Sequence, residues 1–273
     1  MKAKKTHRKE TIKYGDLLLG SYSMYVYIFL YLPILILVIF SFNSTRNTVW
    51  EGFTLEWYFK LFKNREVFHS LINSLIVAIA STIISTIIGT MAAFAMARFD
   101  FFGKKLFDSV ILMPIIIPDI VMGLSLLAFY VLINFTLGLI SITIAHVAFN
   151  ISFVAVVVRA RLHGYDKTLD EAAMDLGANP FQTFMKVTLP IIRPGIIGGA
   201  LIAFTLSLDD YLITSFVAGI GSTTLPIKVY SMMTKGRITP EINALSTLIL
   251  FFTFVLILIS QRLVTTGGKI WKG

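Results

Sequence analysis

The chain contains no cysteine, and charged residues make up only 14% of its 273 positions. The lack of thiols excludes disulfides, thiolate-held metals and covalently attached haem. The low charge goes with 56% hydrophobic residues and a mean hydropathy of +0.80. Because apolar residues make up about 45–50% of ordinary globular domains, this composition excludes a soluble domain and predicts a membrane protein.

A helix that crosses a membrane needs about 20 consecutive, mostly apolar residues. Six segments meet this requirement: Tyr22–Phe42, Ser70–Ala97, Leu106–Ile133, Leu137–Val158, Ile191–Val217 and Ile242–Val264. The first is longer than the core of roughly 7–15 residues in a signal peptide and lacks a small-x-small site after it, so we expect it to remain as an anchor. The predicted fold class is therefore an all-α membrane protein with six transmembrane helices.

Acidic residues are scarce, with 15 Asp and Glu against 24 Lys and Arg, and the net charge is +9. Such a balance is also typical of nucleic-acid binding, but here the basic residues lie at the ends of spans and not along one face. Seventeen of the 24 fall in segments that are cytoplasmic if the N-terminus is inside. The positive-inside rule therefore predicts cytoplasmic N- and C-termini, with membrane lipid and no nucleic acid as partner.

One segment between the fourth and fifth spans, residues 171–190, is too polar to cross a membrane. Thr168 and Glu171 have the spacing of a capping box at the start of a helix. Gly177 suits the left-handed position after a helix end, and Asn179 with the following proline begins a second helix. Two short helices of this kind form either a connector on the bilayer surface or a docking element for a soluble partner.

The small side chains of Ala172 and Ala173 favour docking, because a surface anchor would carry bulkier groups there. The segment resembles the signature loop of permease subunits in bacterial ATP-binding-cassette importers, which pairs Glu-Ala-Ala with a glycine and a later Leu-Pro. The matching residues are Glu171, Ala172, Ala173, Gly177, Val187, Leu189 and Pro190. The resemblance implies the type-1 importer fold. It also implies an ATPase-coupling site, which consists of Glu171, Ala172, Ala173, Gly177, Asn179, Leu189 and Pro190.

Further segments resemble the second permease subunits of spermidine/putrescine importers. They include Ser41–Ser44, Pro118–Met122, Phe204–Asp210, Leu225–Met232 and Pro240–Leu245. The resemblance implies a polyamine permease of the bacterial inner membrane. Its implied partners are two ATPase copies, a second similar permease and an extracytoplasmic binding protein. It implies no cofactor for this chain, since ATP and magnesium bind to the ATPase. A permease for another small solute is the alternative, because such relatives share the loop.

By the same resemblance the chain forms one permease domain over residues 22–264. Its core covers residues 69–260, and the coupling loop covers residues 166–190. Residues 1–21 are predicted to form a basic cytoplasmic tail, and residues 265–273 are predicted to form a second cytoplasmic tail.

Three acidic residues lie inside predicted spans: Asp119, Asp209 and Asp210. A carboxylate at the membrane centre costs roughly 2.5–3.5 kcal/mol by insertion scales, and such charges usually face the bundle interior or a water-filled path. A rise of about 1.5 Å per residue from Leu106 places Asp119 about 20 Å into its span. One interpretation is a path for a polyamine cation. The alternatives are a helix cap by Asp119 after Pro118, and pairing of one carboxylate of the adjacent pair with a neighbouring subunit.

Polar and small residues in the fourth and fifth spans predict helix packing. His146 and Asn150 lie one turn apart and are expected to form interhelical hydrogen bonds and not to bind a ligand. Gly195, Gly199 and Ala203 recur at four-residue spacing, which lets two helix backbones approach closely within the chain or across a subunit interface.

Two short helices are expected outside the spans, after Thr54 and over residues 226–235. The first places Leu55, Tyr58 and Phe59 on one apolar stripe. Such a helix contacts an extracellular binding protein or anchors the chain at the membrane interface.

Other function classes fit the sequence less well. An intramembrane aspartyl protease would need a Gly-x-Gly-Asp motif, and a channel would leave the docking segment without a purpose. A phosphate-binding loop fails at Gly268 and Lys269, because Leu263 stands where the first glycine is needed. We therefore expect a transport subunit that is not itself an enzyme.

Overall fold

The computed structural model describes residues 14–46, 49–235 and 240–269, and these residues are almost entirely helical. The helices are α1 (Tyr14–Phe40), α2 (Glu56–Lys63), α3 (Arg65–Arg98), α4 (Lys104–Ile116), α5 (Asp119–Leu132), α6 (Leu139–His163), α7 (Thr168–Asp175), α8 (Pro180–Thr183), α9 (Leu189–Asp209), α10 (Leu212–Val217), α11 (Leu225–Lys235) and α12 (Pro240–Lys269). A π-helical turn, Phe184–Thr188, joins α8 to α9. Residues 1–13 of the predicted N-terminal tail and residues 270–273 of the predicted C-terminal tail lie outside the described residues.

Most of the predicted spans are confirmed as apolar helices, and six straight spans are not found among the described residues. Within the described ranges, four helices are long and apolar enough to cross a membrane, or five if α4 and α5 count as one span. The four correspond to α1, α3, α6 and the helical run from Pro180 to Asp209. In α12 the described apolar stretch, Pro240–Val255, is by itself shorter than a span, so the count of six remains a prediction.

The third predicted span is broken in the middle. Helices α4 and α5 are bent by 111° at a short break. Pro118 has no amide hydrogen to donate, and it forces Ile117 into an extended backbone with ψ 134°. The third span is therefore not one continuous helix, and the depth of Asp119 counted along such a helix from Leu106 no longer applies.

The fifth predicted span, Ile191–Val217, differs at both ends. Helical structure begins earlier, at Pro180, and runs through the π-helical turn into α9. At the other end α9 stops at Asp209, and Asp210 has an extended backbone with ψ 121° before α10 begins at Leu212. The span therefore ends at the two acidic residues and does not pass through them.

Contacts divide the chain into two compact units. The first contains the described residues up to Leu61 and the start of α12 up to Ile249. In it the buried indole of Trp57 donates to the carbonyl oxygen of Asn43 at 2.8 Å, which holds α2 against the preceding loop. The predicted helix after Thr54 is confirmed, with Leu55 and Phe59 exposed and available for contacts outside the chain.

The second unit contains residues 62–237 and the rest of α12, and its core is formed by α3, α6 and α9. Two sets of contacts show how these helices are aligned. The first set joins Ser81, His146 and Ser207, and the second joins Gly89, Val154 and Gly199. From the first set to the second, the residue numbers increase in α3 and α6 and decrease in α9, so α3 and α6 run in the same direction and α9 runs in the opposite direction.

The stripe of small residues on α9 packs within the chain. A Cβ atom added at Gly199 would lie 3.3 Å from the Cα atom of Val154, and one added at Gly195 would lie 2.8 Å from the Cβ atom of Arg161. Both contacts are with α6, and Ala203 is fully buried beside them. The prediction that small residues allow close helix approach is confirmed, and the partner helix is α6.

Gly89→Ala is expected to lower the melting temperature of the detergent-solubilised protein. The added methyl group would lie 2.8 Å from the Cβ atom of Val154 and 2.9 Å from the carbonyl oxygen of Ile151. Overpacking of this kind costs about 1–3 kcal/mol, or about 3–10 °C for a chain of this size. Gly198→Ala is the control, since its methyl group would meet Val157 at an ordinary 3.7 Å. Equal melting temperatures for the two variants would contradict the packing assignment.

Candidate functional site

The segment between α6 and α9 begins with α7, whose cap differs from the prediction. Lys167 precedes the first helical residue, Thr168, and the carboxylate of Asp166 accepts a hydrogen bond from the Thr168 amide at 3.0 Å. This hydrogen bond lowers the pKa of the Asp166 carboxyl below its usual value. The predicted capping box of Thr168 and Glu171 is therefore wrong, because an aspartate two residues before the helix satisfies the amide first.

The break between α7 and α8 is confirmed as predicted. Gly177 has φ +89°, a left-handed conformation that L-residues other than asparagine and aspartate rarely adopt. The Asn179 side chain accepts from the Gln182 amide at 2.8 Å, and the Gln182 side chain accepts from the Asn179 amide at 3.1 Å. This reciprocal capping box fixes the start of α8.

One face of the α7–α8 pair is open to solvent. The exposed predicted coupling residues are Glu171, Ala172, Gly177, Asn179 and Pro190, and the partly buried ones are Ala173 and Leu189. Leu176 is 90% exposed and Phe181 is 71% exposed beside them. Large apolar side chains left in water on a polar segment mark a contact surface for another protein. Leu189 and Pro190 lie beyond the π-helical turn, at the start of α9.

The opposite face of α7 carries Asp170, a residue that sequence reasoning did not select. Asp170 is buried and forms an ion pair with Arg98, the last residue of α3. A carboxylate removed from water needs such partners. Because 72 positions separate the two residues, no local pattern points to the pair.

Of the three acidic residues in the predicted spans, Asp210 has partners within the chain. Its carboxylate accepts from the Thr214 amide at 2.7 Å and from the Thr214 hydroxyl at 2.6 Å. The His146 ring nitrogen Nε2 lies 3.3 Å from the same oxygen. Asp210 thus caps α10 and joins it to α6.

Asp209 and Asp119 are both exposed. Asp209 is the last residue of α9, and it is exposed whereas the side chain of its neighbour Asp210 is 10% exposed. Asp119 is the first residue of α5, after the bend at Pro118. Helix α5 restarts at this point, as the alternative of a helix cap requires, but the N-cap residue is Pro118 and no side-chain hydrogen bond caps the helix. Both carboxylates are thus exposed at the surface of the described part of the chain.

His146 joins three helices. Its Nδ1 atom lies 2.6 Å from the Ser207 hydroxyl of α9, and its Nε2 atom lies 2.9 Å from the Thr214 hydroxyl of α10. The prediction that His146 forms interhelical hydrogen bonds is confirmed. Asn150, one turn further along α6, is buried, and its amide group has no hydrogen-bond partner in the part of the chain that the structure describes.

Comparison with known proteins identifies the family. Residues 85–266 match the family model described as "Binding-protein-dependent transport system inner membrane component". The chain belongs to this family. It is 40% identical over 256 residues to the spermidine/putrescine transport system permease protein PotC of Escherichia coli K12, a match that covers 93% of this chain and 97% of PotC. It is 45% identical over 220 residues to the putrescine transport system permease protein PotI of the same strain, covering 78% of each.

Solved structures place this family member among importer permeases by fold. A chain of a bacterial ABC transporter that imports the polysaccharide alginate matches with a TM-score of 0.74 at 16% identity, covering 92% of this chain and 96% of that one. A chain of the MetNI methionine ABC transporter matches with a TM-score of 0.61 at 19% identity, covering 78% and 99%. The fold is therefore that of type-1 importer permeases, and the chain is a multi-pass inner-membrane transport component and not an enzyme.

Proposed function

We propose that this family member is the permease subunit of an importer that moves polyamines such as spermidine and putrescine into the cell. The observation that carries the proposal is the 40% identity to a spermidine/putrescine permease along nearly the whole of both chains. The similarity extends beyond the coupling loop, which relatives for other solutes share. An importer of another small solute is the second candidate.

The exposed face of α7 and α8 is assigned to the partner ATPase. It combines an acidic group, Glu171, with the apolar side chains of Leu176 and Phe181, a mixture suited to a cleft on a soluble protein. The segment lies on the cytoplasmic side if the termini are inside, as the positive-inside rule favours. The proposed complex contains two ATPase copies, which bind ATP and magnesium, a second permease and an extracytoplasmic binding protein.

The exposed carboxylates of Asp119 and Asp209 are assigned to the translocation path. A polyamine carries several ammonium groups, which bind carboxylates and the faces of aromatic rings. Tyr211 lies two positions after Asp209, and its ring packs against that of Tyr230 with 4.5 Å between the centroids. Because Asp210 is already held by His146 and Thr214, its role in the path is indirect.

Uptake by the complete complex tests the proposal. The chain is co-expressed with the ATPase, partner permease and binding protein encoded by its own genome, and the complex is reconstituted in proteoliposomes. We expect ATP-dependent uptake of labelled spermidine or putrescine, and no uptake with a hydrolysis-deficient ATPase. Uptake of sulfate or iron with no polyamine uptake would establish the second candidate instead.

A further inference from the structure

Asp170 is 8% exposed, whereas its neighbour Glu171 is open to solvent. One carboxylate oxygen accepts hydrogen bonds from the Tyr165 hydroxyl at 2.5 Å and the Thr188 hydroxyl at 2.9 Å. The other accepts from the Arg98 guanidinium group. We name these four residues, Arg98, Tyr165, Asp170 and Thr188, the Asp170 cluster.

Each member of the Asp170 cluster belongs to a different part of the second unit. Arg98 ends α3, and Tyr165 lies between α6 and α7. Asp170 is on α7, and Thr188 ends the π-helical turn that leads into α9. A single buried carboxylate therefore connects the exposed α7–α8 pair to the end of α3 and to the start of α9.

Aromatic contacts also join the end of α3 to the π-helical turn and to the loop before α7. The ring of Phe184, the first residue of the π-helical turn, packs edge-on against Phe94 of α3 with 4.9 Å between centroids. The Arg98 guanidinium group lies 5.0 Å from the centroid of the Tyr165 ring. Single π-helical turns are rare and occur frequently at functional sites. The ends of α3 and α9 thus form a continuous contact with the coupling loop.

We propose that Asp170 is the positioning residue through which movement of the coupling loop reaches α3 and α9. The inference rests on the proposed ATPase docking of the loop. When the ATPase displaces α7, the carboxylate moves with the helix. Charge-assisted hydrogen bonds are the stronger kind, and leaving a buried partner unpaired is costly, so Arg98 and Thr188 follow. The exposed side of α7 receives the movement, and the buried side transmits it.

Asp170→Asn in the complete reconstituted complex tests this inference. The complex is expected to assemble and hydrolyse ATP, while polyamine uptake per ATP falls at least about tenfold, because the amide retains the shape but loses the charge that holds Arg98. Asp108→Asn is the matched control, because it breaks another interhelical aspartate–arginine pair, with Arg159, outside the loop. The control is expected to keep the wild-type ratio of uptake to hydrolysis.

Two conservative variants separate transmission from a structural role. Thr188→Val and Tyr165→Phe each remove one hydrogen bond to Asp170 and keep the side-chain shape. Both are expected to assemble normally and to lower uptake per ATP. If Asp170→Asn fails to assemble, a normal ratio in Thr188→Val overturns the inference.

A second comparison distinguishes the inference from the function on which it rests. A wild-type ratio in Asp170→Asn overturns the inference if Gly177→Val in the same complex still impairs uptake. If neither variant changes uptake, ATPase docking by this loop is wrong.

Discussion

Gly177→Val is expected to abolish most transport while leaving the membrane helices folded. Gly177 has φ +89°, and no group of the described residues lies within 4 Å of an added Cβ atom, so the penalty comes from the backbone. That penalty is roughly 1–2 kcal/mol for an L-residue, and a β-branched residue is a particularly poor fit. Such a strain lowers the equilibrium ratio of the observed turn to other conformations about 5- to 30-fold. The effect is measured as the rate of polyamine uptake by the reconstituted complex and as the rate of ATP hydrolysis in the presence of substrate and binding protein.

Two substitutions serve as controls for this expectation. Gly177→Asn is expected to retain more transport than the valine variant, because asparagine adopts the left-handed conformation more readily. Gly103 has φ +84° and equally open surroundings in the turn before α4. Gly103→Val therefore introduces the same local strain outside the loop, and we expect normal coupling. Equal losses in the Gly103 and Gly177 variants would show that the strain acts on folding and not on coupling.

Asp209→Asn is expected to reduce polyamine uptake at low substrate concentration by roughly ten- to a hundredfold. The estimate follows from the loss of a charged hydrogen-bonding partner, which is worth about 1.5–3 kcal/mol. The Asp209 side chain is exposed, so the substitution leaves the packing of α9 intact. We therefore expect an unchanged melting temperature, with the loss confined to uptake.

For Asp210, by contrast, substitution is expected to affect stability. Asp210→Asn weakens the contacts with Thr214 and His146 that hold α10 to α6, so a lower melting temperature is expected. Asp209→Glu keeps the negative charge and is expected to retain most uptake. Unchanged uptake in Asp209→Asn would remove this carboxylate from the translocation path.

Local features of the fold and of the coupling loop were predictable from the sequence. The apolar runs mark α1, α3 and α6, since burial in lipid requires length and composition that any window reveals. The helix end at Gly177 and the helix start at Asn179 depend on residues three positions apart or fewer, and both predictions are confirmed. The predicted capping box of Thr168 and Glu171 is wrong because Asp166, which is equally close in sequence, accepts the hydrogen bond from the Thr168 amide.

The breaks in the spans were harder to predict. Pro118 lies within an apolar run that remains long enough to cross a membrane, and composition does not report the 111° bend there. At Asp210 the helix ends because the carboxylate finds partners in the next helix and in α6. A hydropathy window contains no information about such partners.

The sequence by itself determined that the chain is a helical membrane protein with a polar segment of two short helices between two spans, because these properties follow from composition and short spacings. The tertiary structure decided how its charges are distributed. It turned Asp210 inward, left Asp209 exposed, and paired Asp170 with Arg98 from another helix. It also placed the glycines of α9 against α6. Each of these outcomes depends on contacts between distant positions, which form only when the helices pack.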